Sequence, residues 1–421
     1  MLIQFTVKNF RSIKNELILS MIAGQNDEHN ENLIQYKNEK ILPSVAIFGA
    51  NAAGKTNIFK ALDAAIRTIV SSNGRQINEK MPWIIPFLFD KKSAAEPTDF
   101  DFIFTVNGKK YQYGFKADDN VIYEEYLYEY KTARASLIFE RENVDEFSFT
   151  QNTSKLKELV SKNSRNKLFL ATATSWNSEL TREAYLWLSE KINVFEEDIV
   201  GHPAIMDSFE NENESLKPFI KTLLKNADIN IYDYSFESRD TKGFPPFFNI
   251  SLPDEIKNSL TTVGKEFKIS TTHRFKNSEG THDYELPMKM ESAGTERLFF
   301  LGPVIKHALD RGKTIVMDEI DNSLHPLLMD YIIEIFNNRE SNPNGAQLIF
   351  NTHSMKSLNL DIFRRDQIYF VNKDVADGST ELYSLDEFSV RKKENIYKNY
   401  LLGRYGAIPN IGYEDLPWQK E

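Results

Sequence analysis

Residues Gly49 to Asn57 read GANAAGKTN, a Gly-x-x-x-x-Gly-Lys-Thr stretch from which the rest of the chain can be read outward. The apolar run Val45 to Phe48 before it predicts a buried strand. Ile58, Leu62, Ile66 and Ile69 after it fall on one face of a helix. Strand, glycine loop and helix in this order make a P-loop. Gly49 and Gly54 let the backbone curl, so that loop N–H groups from Asn51, Ala52 and Ala53 to Asn57 point inward at a polyphosphate. Lys55 reaches β- and γ-phosphates, Thr56 suits a Mg²⁺ ligand, and the helix N-terminus adds a favourable dipole. The alternative is a glycine-containing turn that caps a helix; the strand before and the helix after favour phosphate binding.

The last third carries matching chemistry. Lys313 to Glu319 (KTIVMDE) predicts a buried strand ending in two carboxylates, the Walker B arrangement. Asp318 there holds Mg²⁺ through water, and Glu319 orients the attacking water as general base. Glu291 to Glu296 opens a helix bearing Leu298, Phe299 and Leu301, and a further helix follows Asp321 to Pro326. Leu348 to Phe350 predicts the next strand, ending in Asn351-Thr352-His353-Ser354, with His353 placed to sense a γ-phosphate. Strand ends followed by polar residues are where open α/β sheets bind ligands.

The chain has 421 residues, enough for a large core and two domains or lobes. It lacks cysteine, which excludes disulfides, thiolate zinc sites and cysteine nucleophiles and fits a reducing cytoplasm. The opening MLIQFTVKNF alternates polar and apolar residues, unlike a signal peptide, and no apolar run is long enough to span a membrane. A formal net charge of −10 argues against a general nucleic-acid coat protein and leaves room for a local basic groove.

Three segments are expected: 1–150 with the P-loop and a β-meander, 151–226 as a helical insertion, and 227–421 with the second half of the chemistry. In the meander, Phe100, Phe102 and Phe104 share a face, Asn107-Gly108 predicts a type I′ hairpin, and Tyr111, Tyr113 and Phe115 return. Tyr126, Tyr128 and Tyr130 continue the rhythm, and this aromatic stripe is read as core rather than as a base-stacking platform. In the insertion, Leu180, Ala184, Leu188 and Ile192 read as one helical stripe. Strands are expected at Ile229 to Phe236, Phe247 to Leu252, Phe267 to Ser270 and Tyr284 to Met288. The apolar stretch Pro82 to Phe89 is either a packed loop or a wall of the nucleotide pocket.

Thr56 and Asp318 are 262 residues apart, farther than in compact P-loop ATPases. That spacing, with a Ser-x-Gly helix start before Walker B, resembles the ABC-type ATPase heads of the SMC, RecF and OLD group. The order GANAAGKTN, ESAGTERLFF, VMDEIDNSLHP, FNTHS, FRRDQIYFV and YLLGRYGAIP is similar to the RloA-like or AbiL-type ATPases of phage-defence systems. The resemblance implies an α/β ABC-type head, a mixed sheet plus an antiparallel β-meander lobe with a short helical insertion. It makes Ser292 and Gly294 the signature motif, Asp321 the D-loop aspartate, His353 the switch histidine, and Arg11 of Asn9-Phe10-Arg11-Ser12 a neighbour of the phosphates. Glu291, Ala293 and Thr295 depart from Leu-Ser-Gly-Gly-Gln, and Gln76 is one candidate for the Q-loop.

The same resemblance implies ATP and Mg²⁺ as ligands and a homodimer, or higher homo-oligomer, closed through an ATP sandwich. It also implies a separate effector, a nuclease encoded nearby, and a DNA or phage-protein trigger. Only 67 residues follow Ser354, too few for the Toprim nuclease of OLD proteins. Asp374, Asp377, Asp386 and Glu387 read as a turn between strands rather than a metal site. The rival expectation is a RecF- or SMC-like DNA-repair ATPase, for which Arg364-Arg365 and Arg391-Lys392-Lys393 are the basic patches.

Overall fold

The computed structural model of the chain describes residues 1–132, 134–150, 153–195, 199–242, 263–278, 280–391 and 394–409. The elements that frame the amino-terminal half are β1 (Leu2–Lys8), β2 (Leu17–Ser20), β3 (Ile34–Tyr36), β4 (Glu39–Ile41), β5 (Ser44–Gly49) and α1 (Lys55–Ser71). A meander follows as β6 (Thr98–Val106), β7 (Lys109–Ala117), β8 (Ile122–Tyr130), β9 (Ala135–Glu142) and β10 (Glu146–Phe149). Next come α2 (Thr153–Val160), α3 (Phe169–Ser175), α4 (Glu179–Glu190), β11 (Ile192–Phe195) and α5 (Pro203–Asn226). Strands β12 (Asp233–Lys242), β13 (Val263–Asn277) and β14 (Gly280–Pro287) lead to α6 (Ala293–Arg311). The chain continues through β15 (Thr314–Met317), α7 (Pro326–Asn337), β16 (Gln347–Asn351), β17 (Ile368–Lys373), β18 (Thr380–Ser384) and α8 (Ile396–Leu401).

Two compact units result: Met1–Glu196 with Arg311–Asp321 and Ile332–Glu421, and Glu197–Asp310 with Asn322–Tyr331. Of the helical stretch 151–226, α2 to α4 and β11 fall in the first unit and α5 in the second.

The first unit holds two large sheets. One is antiparallel, in the order β10-β9-β8-β7-β6-β1-β2. Phe100, Phe102, Phe104, Tyr111, Tyr113 and Phe115 are buried on its inner face, and Asn107 and Gly108 turn the hairpin with φ of 51° and 75°. Tyr126 stands opposite Gly114, and Tyr128 opposite Gln112, so the second tyrosine run lies on the outer face. There the Tyr126 hydroxyl donates to Asp101 at 2.7 Å. That run therefore does not extend the core stripe, because the β7–β8 register puts it on the other side of the pleat.

The other sheet has the order β11-β15-β16-β5-β17-β18, parallel except for β18. β5, β15 and β16 are buried along their whole length, as continuous apolar runs in a covered parallel sheet should be. Their shared direction brings the C-terminal ends at Gly49, Met317 and Asn351 to one edge. Helix α1 and the inner face of the antiparallel sheet share one hydrophobic core with these strands.

Ile192 is a strand residue and not the helical one its spacing predicts. Helix α4 ends at Glu190, and Ile192 opens β11, paired with Thr314 of β15. Ile192 lies at helical spacing from Leu188 and at strand spacing from Val194, and strand pairing decides. Arg364 is fully buried, and its guanidinium binds Asp366 at 2.8 Å and backbone carbonyls of the Gly24 to Glu28 loop. Arg365 pairs with Glu28 at 3.2 Å. This dipeptide is an internal brace and not the basic surface patch expected; Lys392 and Lys393 lie outside the described residues. Asp374 to Ser379 form the β17–β18 turn, with the Gly378 N–H donating to the Asp374 carbonyl at 2.9 Å.

In the second unit, β12, β13 and β14 form a three-stranded antiparallel sheet. The expected strand at Ile229 starts later, at Asp233; the Ile229 N–H instead closes the end of α5 on the Leu224 carbonyl at 3.0 Å. The expected strand Phe247 to Leu252 lies outside the described residues. Phe209 of α5 stacks on Phe299 of α6 at 5.0 Å, and Gly302 of α6 leaves room for Ile220. No helix among the described residues is long and apolar enough to cross a membrane.

Candidate nucleotide-binding and catalytic site

The loop between β5 and α1 curls as the glycines require. A Cβ on Gly49 would sit 2.5 Å from the Val371 carbonyl oxygen. Gly54 has a φ of 109°, and a Cβ there would sit 2.1 Å from the Thr380 hydroxyl. Asn51, Ala52 and Ala53 form the loop's crest and line a cleft of about 700 Å³ together with Gly54, Lys55, Thr56, Asn57 and Arg11. Lys55 donates to the carbonyls of Gly49 and Ala50 at 2.8 and 3.1 Å, across the mouth of its own loop. Burial pulls the Lys55 pKa below its usual value, against the opposing pull of Asp318, Glu319 and Asp321. A polyphosphate would offer that ammonium stronger acceptors than two neutral carbonyls.

Arg11 sits in a tight turn with a φ of 48°, and its N–H donates to the Ile85 carbonyl at 2.8 Å. Its buried Nε has no hydrogen-bond acceptor within the protein, as expected of a guanidinium shaped for an anionic ligand. The Asn57 side chain donates to Ser12 at 2.7 Å, so it braces the loop against the amino-terminal turn. Ser12 in turn bonds the Thr380 hydroxyl at 2.7 Å, which also reaches the Ala53 carbonyl at 3.0 Å. Neither Ser12 nor Thr380 was a sequence candidate.

At the neighbouring strand end, Thr56 Oγ1 lies 3.3 Å from Asp318 Oδ1. Asn351 ties the carboxylates together. Its amide nitrogen donates to Asp318, and its amide oxygen accepts the Glu319 N–H at 2.7 Å. Glu319 has a φ of 47°, in the left-handed region where side chains other than glycine's are strained. His353 Nε2 stands 3.4 Å from Glu319 Oε1, and both side chains face solvent at 43% and 54% exposure. The His353 N–H donates to Asp321 Oδ2 at 3.1 Å, so the expected D-loop aspartate holds the switch segment. Glu319, Asn351 and His353 line the same cleft as the P-loop.

Of the Pro82 to Phe89 stretch, Ile84 and Phe87 are buried, while Ile85, Pro86, Leu88 and Phe89 line the cleft. It is both packed loop and wall. Gln76 is not among the lining residues; its N–H donates to the Glu79 carboxylate at 2.7 Å and its carbonyl accepts from Asn166. Ser292 and Gly294 belong to the second unit. There the Ser292 hydroxyl accepts the Thr295 N–H at 3.1 Å and caps α6. A Cβ on Gly294 would lie 2.6 Å from the Ser323 carbonyl, so only glycine allows that approach.

Residues 44–359 match a family model, AAA_21, described as "AAA domain, putative AbiEii toxin, Type IV TA system". The chain belongs to this AAA-domain family. No curated protein matches it in sequence. Solved structures similar to this AAA-domain protein include the SmcHead bound to the C-winged helix domain of ScpA, at 15% identity and a TM-score of 0.43, covering 91% of this chain and 97% of that one. The SMC head domain from Thermotoga maritima is similar at 14% identity and a TM-score of 0.41, covering 91% and 98%. The Smc head domain with an extended coiled coil, bound to the C-terminal domain of ScpA derived from Pyrococcus furiosus, follows at 13%, 0.41, 91% and 96%. The fold is the α/β P-loop fold of an AAA domain: a mixed sheet, an antiparallel lobe, and a glycine loop between β5 and α1.

Proposed function

We propose that this AAA-domain protein is a Mg²⁺-ATP-dependent ATPase working as a nucleotide-driven switch that controls a separate effector in bacterial anti-phage defence. The observation that carries the ATPase reading is the meeting of Thr56 and Asp318 at 3.3 Å across 262 residues of chain, beside Glu319 and His353. Lys55 and Arg11 supply positive charge where triphosphate oxygens would lie. The oxygen donors of Thr56 and Asp318 fit Mg²⁺ and would hold it there. Bound there, the ion would supply charge neutralisation for the phosphate oxygens. Glu319 takes the proton of the attacking water, and His353 beside it contacts the γ-phosphate.

In this reading Ser292 and Gly294 of one copy close over the nucleotide held by another, so ATP assembles the dimer and hydrolysis opens it. The RloA-like or AbiL-type assignment rests on the order of motifs. The family's description as part of a Type IV toxin–antitoxin system supports a defence role. A nuclease encoded nearby is the proposed effector, and a phage protein or DNA the proposed trigger.

The test is solution mass by light scattering for Glu319→Gln with and without Mg²⁺-ATP, beside its ATPase rate. Doubling of mass only with ATP, and loss of turnover, is the expected result. A fixed monomer with ATP bound would overturn the sandwich, and nucleotide binding that survives Lys55→Ala would overturn the site.

A further inference from the structure

We infer that the strip Ile85–Phe89 is the nucleobase shelf of the cleft, that the base stacks on Phe89, and that the site therefore accepts adenine and guanine alike. This rests on the phosphate-binding reading of the P-loop and names the part of the ligand that the reading leaves open.

Leu88 and Phe89 are 64% and 78% exposed, large apolar side chains in water at the lip of a cleft whose other walls carry Arg11, Lys55, Lys60 and Lys373. The exposure is built and not incidental. Phe87 beneath is fully buried and meets Phe89 edge to face at 5.6 Å. A Cβ on Gly378 would lie 3.4 Å from the Phe89 ring, so the ring lies along the β17–β18 turn. Phe87 also has Lys14 over its ring at 5.7 Å, and Lys14 pairs with Asp377 at 3.0 Å, which fixes strip and turn to each other.

The separation from the phosphates suits a nucleotide. Thr380 bonds the P-loop carbonyl of Ala53. Gly378, under the Phe89 ring, is two residues away in the chain, hence at most about 7 Å. A ribose and its 5′ carbon bridge such a gap between base and α-phosphate.

The shelf offers faces more than edges. The Ile85 carbonyl accepts from the Arg11 N–H, the Phe87 N–H donates to Asn9 Oδ1 at 3.0 Å, and Pro86 has no N–H. Stacking on an aromatic face tolerates any base, because every base has one. Reading a purine edge by hydrogen bonds would need partners other than the Ile85 carbonyl and the Phe87 N–H, which are engaged within the protein.

The experiment is calorimetric titration of the full chain with β,γ-imido analogues of ATP and GTP and with inorganic tripolyphosphate, each with Mg²⁺. The native protein is expected to bind both analogues within a few-fold. Phe89→Ala is expected to weaken both by about ten-fold or more, leave tripolyphosphate unchanged, and be rescued by Phe89→Trp. Unchanged analogue affinity in Phe89→Ala would overturn the shelf and assign the exposed ring to a surface contact. Equal loss for tripolyphosphate would overturn it in favour of a loop-shaping role. A preference of about a hundred-fold for one purine, the mark of hydrogen-bonded base reading, would overturn base tolerance. Failure of the native protein to bind tripolyphosphate would instead remove the phosphate-binding reading, and the shelf with it.

Discussion

The side-chain oxygen of Asn351 accepts the Glu319 N–H at 2.7 Å. The other end of the same amide donates to Asp318, so one buried residue sets both the expected magnesium ligand and the backbone of the expected general base. Asn351→Leu keeps the volume and removes both bonds. Turnover should fall roughly ten- to a hundred-fold with nucleotide affinity much less affected, and unfolding should cost about 1–3 kcal/mol less. Steady-state rates, nucleotide titrations and urea melts of one preparation separate these effects; an unchanged rate would remove Asn351 from the positioning role.

Thr380 is the clamp on the other side of the cleft, joined to Ser12 and to the P-loop carbonyl of Ala53. Thr380→Val preserves shape and breaks both hydrogen bonds. Nucleotide affinity should weaken by about three- to thirty-fold, more than thermal stability alone would suggest. Calorimetric titration beside a melting curve tells a loosened loop from a loosened fold.

An interface variant tests the trans arrangement without touching the cleft. Ser292 is exposed at the start of α6. Ser292→Arg should leave nucleotide binding by the monomer intact and abolish the ATP-dependent gain in mass. A variant that still dimerises with ATP would show that closure does not run over this loop.

Asp99 gives a pH-dependent stability with a definite sign. Burial raises its pKa to about 6 from a usual value of 3.8, against the opposing effect of Lys116. Between these values the folded protein holds a proton that the unfolded chain has released, so stability falls as pH rises through that window. Asp99→Asn removes the charge. Its melting temperature should exceed that of the native protein by a margin that is small near pH 4 and grows toward pH 7. A margin independent of pH would show that Asp99 is charged at no cost in the fold.

The P-loop, the DE pair and His353 were legible because each is a contiguous pattern with its own strand, and the fold gathers them by aligning β5, β15 and β16 in parallel. The clamp was not. Ser12 and Thr380 meet across 368 residues, and neither residue type is rare enough to flag itself. Asn351 stood in plain view two residues before His353, but its role depends on the register that sets it beside Asp318. Ile192 misled because it lies four residues after Leu188, at helical spacing, and also alternates with Val194 as in a strand. Arg364 misled because charge in a sequence says nothing of burial; only the Gly24 to Glu28 carbonyls and Asp366 explain how a guanidinium is satisfied inside.

The left-handed backbone at Glu319 sets stability against the turnover proposed for this residue. A non-glycine side chain there costs about 1–2 kcal/mol, and glycine or asparagine would relieve part of it. A library screened only for heat resistance should therefore be enriched in Glu319→Gly and Glu319→Asn, sturdier proteins that hold nucleotide and do not consume it. Natural sequences that have lost hydrolysis and kept the fold should carry the same two residues at this position. The strain at Glu319 is the stability cost that the proposed general base would impose on the fold.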